Sequence, residues 1–215
     1  MKIQNKTICI FSSFAYPHAG GVELYVKHLS RHLVERGYQV IMVSLNTDGL
    51  KAFDIDNQLI QIRLPCFSLL KGRYPVPRPS VELLKLWQML NSYQIDFVFL
   101  NVRFYVLTVM AAFWGQFKHK PMILVEHGTG HFDLGKPVLN SIAAAYEHFL
   151  TSLLRLNKIR YFGVSQACGD WLLHFNIKAS GVIYNGIEMN IGKADREDFR
   201  KRFHLKSDEV IISFV

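Results

Sequence analysis

Strand and helix signals alternate along almost the whole of this chain, and that alternation constrains its fold more than any other feature. Residues 7–12 (TICIFS) are short, apolar and β-rich. From Val22 the apolar residues then fall at Val22, Tyr25, Val26, Leu29 and Leu33, the spacing of one helical face. Gly37 is placed to end that helix in a left-handed conformation. Strands follow at 39–45 (QVIMVSL) and 59–64 (LIQIRL). Leu83, Leu86, Trp87 and Leu90 stripe a helix before an apolar strand at 96–100. Val106, Val109, Met110, Phe113 and Phe117 stripe the next helix, which leads to a strand at 121–125. A long helix carries Val138, Ile142, Ala145, Phe149 and Leu153. A strand at 160–164 follows, then Ser165 as an N-cap, and a last short strand at 182–184. Strands that are apolar throughout are buried on both faces, as in parallel sheets. Strand–helix alternation on this scale predicts a doubly wound α/β domain with a parallel sheet.

Composition narrows the function classes. At 215 residues and 50% hydrophobic, the chain can bury a core without a disulfide or metal staple. Cys9, Cys66 and Cys168 are too scattered for a zinc or redox motif and read as free thiols in a reducing compartment. The N-terminus lacks a signal-peptide pattern, and the most apolar stretch, 95–115, is interrupted by Asp96, Asn101 and Arg103. The sequence therefore reads as a soluble cytoplasmic protein. A net charge of +8 suits a nucleic acid, an anionic membrane or a phosphorylated ligand, but no basic run or aromatic-interleaved stripe singles out nucleic acid. The Pro-rich stretch 75–79 reads as a surface loop. Residues 193–206 are densely charged with mixed signs, as in a solvated helix and linker. Residues 209–215 (EVIISFV) open what looks like a fresh strand, which is expected either to begin a truncated further domain or to complete the existing sheet.

In an open α/β sheet, ligands bind outside the carboxyl ends of the strands, and three polar clusters fall at such ends. The first runs from Tyr16 to Glu23, with Gly20 and Gly21 at a helix N-terminus that favours an anion such as phosphate. It lacks both dinucleotide and P-loop spacing, so a tight turn without a ligand is the competing reading. The second is Glu126-His127-Gly128-Thr129-Gly130-His131, where a neutral imidazole would orient a hydroxyl or polarise a sugar, and the glycines would give access. Against this stands a His127 merely satisfied by a backbone carbonyl. A metal held by His131 and Asp133 would need helical or hairpin geometry, which the glycines disfavour. The third, Tyr184-Asn185-Gly186-Ile187-Glu188, is foremost a turn signal. No nucleophile elbow or hydrolase carboxylate pair is present.

In this order the clusters resemble the N-terminal half of a family 4 glycosyltransferase. The resemblance rests on proline, Gly20-Gly21 and Glu23 opening the first helix, then Arg36-Gly37 and an apolar strand. His127-Gly128 ends a central strand, Val164-Ser165 follows the next, and Asn185-Gly186-Ile187 closes the domain. It extends over nearly all of the chain. Tyr38 and Glu188 stand where the family often has His and Asp.

The resemblance implies a Rossmann-like doubly wound parallel sheet, the N-terminal lobe of a GT-B fold with the second lobe absent. Residues 1–190 would form an acceptor-side domain, and 191–215 a linker and the start of a truncated nucleotide-sugar-binding domain. It implies retaining transfer from a nucleotide-sugar to an acceptor hydroxyl, with no cofactor and no metal. Gly20 and Gly21 would meet the donor diphosphate, and His127 the sugar near its anomeric centre. Glu126, Gly128, Thr129, Arg103, Tyr74 and Asn185 would surround the acceptor or sugar, with Tyr74, Arg103 and Thr129 placed by loop position alone. The acceptor would be a glycan, a lipid-linked molecule or a small molecule, and no nucleic acid partner is expected. Residues 137–157 and the apolar-basic segment 67–78 would either touch an anionic membrane, such as the inner face of the plasma membrane, or serve as core and interdomain surface. The isolated lobe is expected to be inactive. Two other readings remain: a non-catalytic nucleotide- or phosphate-binding module, and a sugar-nucleotide epimerase using Glu126 as its acid/base carboxylate.

Overall fold

The structure, a computed structural model, describes residues 6–186, 196–206, 208–210 and 212. The chain divides into two compact units, Met1–Asn185 and Gly186–Val215. In the first, β1 (Thr7–Phe11) leads to α1 (Gly21–Glu35), β2 (Gln39–Leu45), β3 (Phe53–Asp56) and β4 (Leu59–Leu64). A ribbon of β5 (Cys66–Leu69) and β6 (Tyr74–Pro77) precedes α2 (Val81–Ser92), β7 (Phe97–Asn101), α3 (Val106–Phe117) and β8 (Met122–Glu126). Next come α4 (Pro137–Arg155), β9 (Ile159–Gly163), α5 (Gln166–Trp171), a 3₁₀ turn Leu172–Phe175 and β10 (Gly181–Val182).

Eight strands form one sheet in the order β10-β9-β8-β7-β1-β2-β4-β3. All neighbours are parallel except β3, which pairs antiparallel with β4 at the edge. Successive strand residues point to opposite faces. Cys9 and Phe11 of β1 therefore join Ile41, Val43, Leu100 and Leu124 in a core shared with Leu86, Leu107 and Leu154 of the helices. Ile10 faces the other way, with Met42 and Phe99, onto Val26 of α1. The predicted doubly wound sheet is the observed one.

Local signals act where the sequence places them. Gly37 has φ +84°, a conformation that favours glycine, and its N–H donates to the Val34 carbonyl to close α1. Ser165 Oγ accepts from Cys168 N at 3.2 Å and caps α5. All three cysteines are free. Among the described residues no helix is long and apolar enough to cross a membrane.

One expectation is corrected and one pair of alternatives is narrowed. The Pro-rich stretch is strand β6, not a surface loop: Pro75 and Pro77 stand opposite Ser68 and Cys66 on a two-stranded ribbon, where missing N–H groups are tolerated. Of the two readings of the α4 stripe, core holds only at Leu153, which packs against the edge of the core. Val138, Ile142 and Phe149 are 71%, 61% and 59% exposed, whereas Glu147, Leu150, Thr151 and Leu154 are buried. In the second unit, α6 (Arg196–Arg202) lies within the predicted solvated helix. The strand expected at 209–215 falls largely outside the described residues.

Candidate functional site

The order of strands reverses between β1 and β7. From β1 the chain moves to β2 on one side, and from β7 to β8 on the other. Such a switch point leaves a crevice at the strands' carboxyl ends, because the following connections diverge. A cavity of about 240 Å³ lies there. Its wall includes Ser12, Ser13, Glu23, Tyr105, Glu126 and His127, from the ends of β1, β7 and β8 and the first turn of α1. Ser12 N donates to Val43 O, and Leu45 N donates to Ser13 O, so the β1–β2 ladder continues past β1 and fixes both serines. The Ser13 hydroxyl is buried and has no hydrogen-bond partner among the described residues. An orphan of that kind at a cavity wall is a ready contact for a polar ligand.

His127 is held on the other wall. Asn101, fully buried at the end of β7, donates through Nδ2 to the Phe11 carbonyl at 3.2 Å. That bond points Asn101 Oδ1 at His127 Nε2, 3.3 Å away. An amide oxygen only accepts, so Nε2 carries the imidazole proton and Nδ1 keeps its lone pair. Tyr25 packs edge-on at 5.0 Å between centroids. Burial lowers the imidazole pKa to about 4, so the ring is neutral at physiological pH. A neutral, oriented imidazole with a free acceptor nitrogen suits a ligand hydroxyl.

Beneath His127 lies a buried charge cluster. Glu126 Oε1 accepts from the backbone N–H groups of His127 and Gly128, both at 3.0 Å. Glu126 Oε2 is 3.3 Å from Arg103 Nε. The other arms of Arg103 donate to Glu147 Oε2 at 3.0 and 3.1 Å, and its guanidinium lies 3.7 Å above the Phe175 ring. Burial pushes the Glu126 carboxyl up, opposed by Arg103 and the amides. The preceding residue, Val102, has φ +58°, a strained conformation for a β-branched side chain that costs on the order of 1–3 kcal/mol. It is over-determined by its N–H bond to Val125 O at 3.1 Å and by Thr108 Oγ1 donating to its carbonyl at 2.8 Å. The strained turn delivers Arg103 to both carboxylates.

The sequence-predicted site residues are thus distributed unevenly. Glu126, His127 and Gly128 line the cavity, whereas Gly20 and Gly21 precede Val22, the nearest lining residue of α1. A Cβ on Gly20 would stand 2.0 Å from Glu23 Oε2, so close approach by the Glu23 carboxylate requires glycine there. Arg103 is 1% exposed with its guanidinium engaged by protein, which makes it a support for the site and not an acceptor contact. Tyr74 is also buried, its hydroxyl donating to the Phe104 carbonyl at 2.7 Å. Thr129 and Asn185 are exposed and lie outside the cavity lining. Asp133 turns away from His131: its Oδ1 accepts from Gly135 N and Asn140 Nδ2, closing a local turn. Ser13, Asn101 and Val102 were missed by sequence reasoning. Their only signal is position, immediately after or at the end of an apolar strand.

A family model described as Glycosyltransferase Family 4 matches residues 19–191. An uncharacterized glycosyltransferase of Methanocaldococcus jannaschii is 29% identical over 213 residues, covering 92% of this chain and 54% of that protein. One subunit of human phosphatidylinositol N-acetylglucosaminyltransferase is 44% identical over 43 residues, 20% of this chain and 9% of its own. In fold, sucrose-phosphate synthase from Thermosynechococcus elongatus superposes with a TM-score of 0.66 at 15% identity, over 95% of this chain and 54% of that one. The chain spans about half the length of the first of these sequence relatives and of that structure.

Proposed function

The chain belongs to glycosyltransferase family 4, with the Rossmann-like lobe of a GT-B fold, and on that premise we propose that it is the acceptor-side half of a retaining hexosyltransferase. The enzyme would move a sugar from a nucleotide-sugar to an acceptor hydroxyl: the acceptor oxygen bonds to the anomeric carbon, the bond to the diphosphate breaks, and the acceptor proton passes to the departing diphosphate. One observation carries the reading, the neutral imidazole of His127 presented with a defined tautomer to the switch-point cavity. Its Nδ1 would accept from a hydroxyl of the transferring sugar. The orphaned Ser13 hydroxyl would bind another polar group of the ligand. The N–H groups of Gly20 and Gly21, at the N-terminus of α1, would face the departing diphosphate, where donors aimed at developing charge are worth about 10²–10³ each in rate. Glu126 supports this arrangement from below. Its Oε1 accepts from two amides and its buried Oε2 is paired by charge with Arg103, which disfavours the epimerase reading that needs it as an acid/base.

In the enzyme with both lobes, His127→Ala is expected to cut turnover by at least about tenfold with folding intact, read as nucleotide release from a panel of nucleotide-sugars. Near-normal turnover would remove His127 from the site. Nucleotide binding by the 215-residue chain alone would favour the regulatory-module reading, and sugar transfer by it would overturn the division of labour.

The outward face of α4 favours peripheral contact with an anionic membrane. Val138, Ile142, Phe149 and Leu156 are exposed, with Lys136, Arg155 and Lys158 at the helix ends. The β5–β6 turn adds exposed Leu69 and Leu70 beside Lys71. Each basic residue near an anionic leaflet contributes about 1 kcal/mol. Vesicles rich in phosphatidylserine should co-sediment the protein at low salt; failure to do so would reject this placement.

A further inference from the structure

Three histidines far apart in sequence meet at one point on the surface. His131 lies in the segment between β8 and α4, His148 on α4, and His174 in the 3₁₀ turn after α5. His174 Nε2 is 3.1 Å from His131 Nε2 and 3.2 Å from His148 Nε2, and the three ligand atoms lie within 4.8 Å of one another. A tetrahedral zinc ion with Zn–N bonds of about 2.0–2.1 Å spaces its nitrogens about 3.3–3.4 Å apart. The two close distances are therefore near a coordination edge before any ion is bound.

The proton inventory points the same way. His131 Nδ1 lies 3.2 Å from Glu147 Oε2, which only accepts, so in the neutral ring the proton sits on Nδ1 and Nε2 offers its lone pair. The three ligand nitrogens face one point, where a cation would accept a lone pair from each. The carboxylate–imidazole contact is also the usual support that orients a metal-binding histidine. Charge adds an independent argument. Behind His131, the single guanidinium of Arg103 faces two buried carboxylates, Glu126 and Glu147, so positive charge arriving through His131 is favourable. The rings are fixed from outside the trio: Trp171 stacks on His174 at 4.7 Å and 9°, and Phe175 packs against His148 at 4.7 Å.

We propose that His131, His148 and His174 form a zinc site, three imidazole nitrogens with water in the fourth position. His148 and His174 are exposed, so the site opens to solvent and an ion needs no entry path. The ion would clamp the 127–136 segment, which begins at His127, to α4 and to the turn after α5. The inference concerns this chain's own side chains and does not rest on the transferase reading.

The test uses untagged, chelator-stripped 215-residue chain titrated with Zn²⁺ by calorimetry. One equivalent should bind, an excess of Mg²⁺ should not displace it, and bound Zn²⁺ should raise the thermal midpoint. Amide exchange should slow across residues 128–136. His148→Ala and His174→Ala, both at exposed positions, should fold normally by circular dichroism and each weaken binding at least about tenfold. Co²⁺ in place of Zn²⁺ should give an intense four-coordinate visible spectrum that either substitution abolishes. Absence of stoichiometric binding, or binding and spectrum unchanged in both variants, would overturn the proposal.

Discussion

Arg103→Met tests the buried cluster that supports His127, because methionine fills much of the volume but removes the charge and all donors. At an effective dielectric near 20, two unit charges about 3 Å apart attract by roughly 5 kcal/mol before desolvation is counted. Arg103 makes two such contacts, to Glu147 at 3.0 Å and Glu126 at 3.3 Å. Breaking a buried pair by removing one partner typically costs about 3–5 kcal/mol, since the surviving charge stays buried. We expect a loss of about 4 kcal/mol at pH 8, a large part of the roughly 5–15 kcal/mol that holds a domain together. The loss should depend on pH. Arg103 opposes the upward push of burial on Glu126, so its removal drives that carboxyl further above its unfolded value. A carboxyl raised in this way favours the folded state below its unfolded pKa, and that contribution is lost as pH rises through the folded pKa. The deficit should therefore be smallest near pH 5 and grow toward pH 8. Urea unfolding of wild type and variant at both pH values measures it, and adding Glu147→Gln to Arg103→Met should recover part of the loss. A deficit under about 1 kcal/mol, or one equal at pH 5 and pH 8, would refute the charged-cluster account.

Two further outcomes follow from single residues. His127, with a pKa lowered from 6.5 to about 4, is neutral in the fold and protonated more readily unfolded, so its stability contribution is complete above pH 6.5 and falls as pH drops toward 4. Wild type should lose about 3 kcal/mol more than His127→Gln between pH 7 and pH 4, by urea midpoint; parallel curves would contradict its burial as a neutral base. Gly163→Ala would set a Cβ 2.4 Å from Gly169 N and 2.7 Å from Ser165 O, both backbone atoms, and should cost about 3 kcal/mol. Gly115→Ala meets only the Met122 thioether at 2.5 Å, a flexible end, so its thermal midpoint should stay within a few degrees of wild type; equal damage at both sites would undo this distinction.

Most of the sheet was legible because its strands are buried on both faces, which writes an apolar run into the sequence whatever the neighbours are. Gly37 and Ser165 were legible because a cap is a local device. The edge strand β3 (FDID) was not: it is largely exposed and half polar, so nothing distinguishes it from a loop until β4 lies beside it. Tyr74-Pro75-Val76-Pro77 carries a loop's composition, and only pairing with β5 makes it a strand. At the site, Glu126-His127-Gly128 was visible from its place after an apolar strand. Arg103 was visible too, but its role was not, since a basic residue at a strand end looks alike whether it meets a ligand or two buried carboxylates. The histidine cluster had no sequence signal, its members lying 17 and 26 residues apart (148 − 131 and 174 − 148) on three different elements.

The orientation of α4 shows how a site can override a pattern. At about 100° per residue, Val138, Ile142, Phe149 and Leu156 lie roughly 180–220° around the helix from Glu147. An apolar stripe of that kind ordinarily turns inward, at about 25 cal/mol for each Å² removed from water. Here the helix turns Glu147 inward instead, where its carboxylate receives Arg103, His131 and the Phe132 N–H at 2.7 Å. The inward face still buries Leu150 and Leu154, so the core is not forfeited. The outward face is what the polar cluster leaves over. The arrangement that braces Glu126 beneath His127 is thus the same one that exposes an apolar helix face. A variant that restored an apolar inward face, such as Glu147→Leu with Arg103→Met, would remove the brace while leaving that outward stripe in place. Membrane co-sedimentation should then survive while turnover falls, whereas joint loss of both would tie the two surfaces to a single unfolding event.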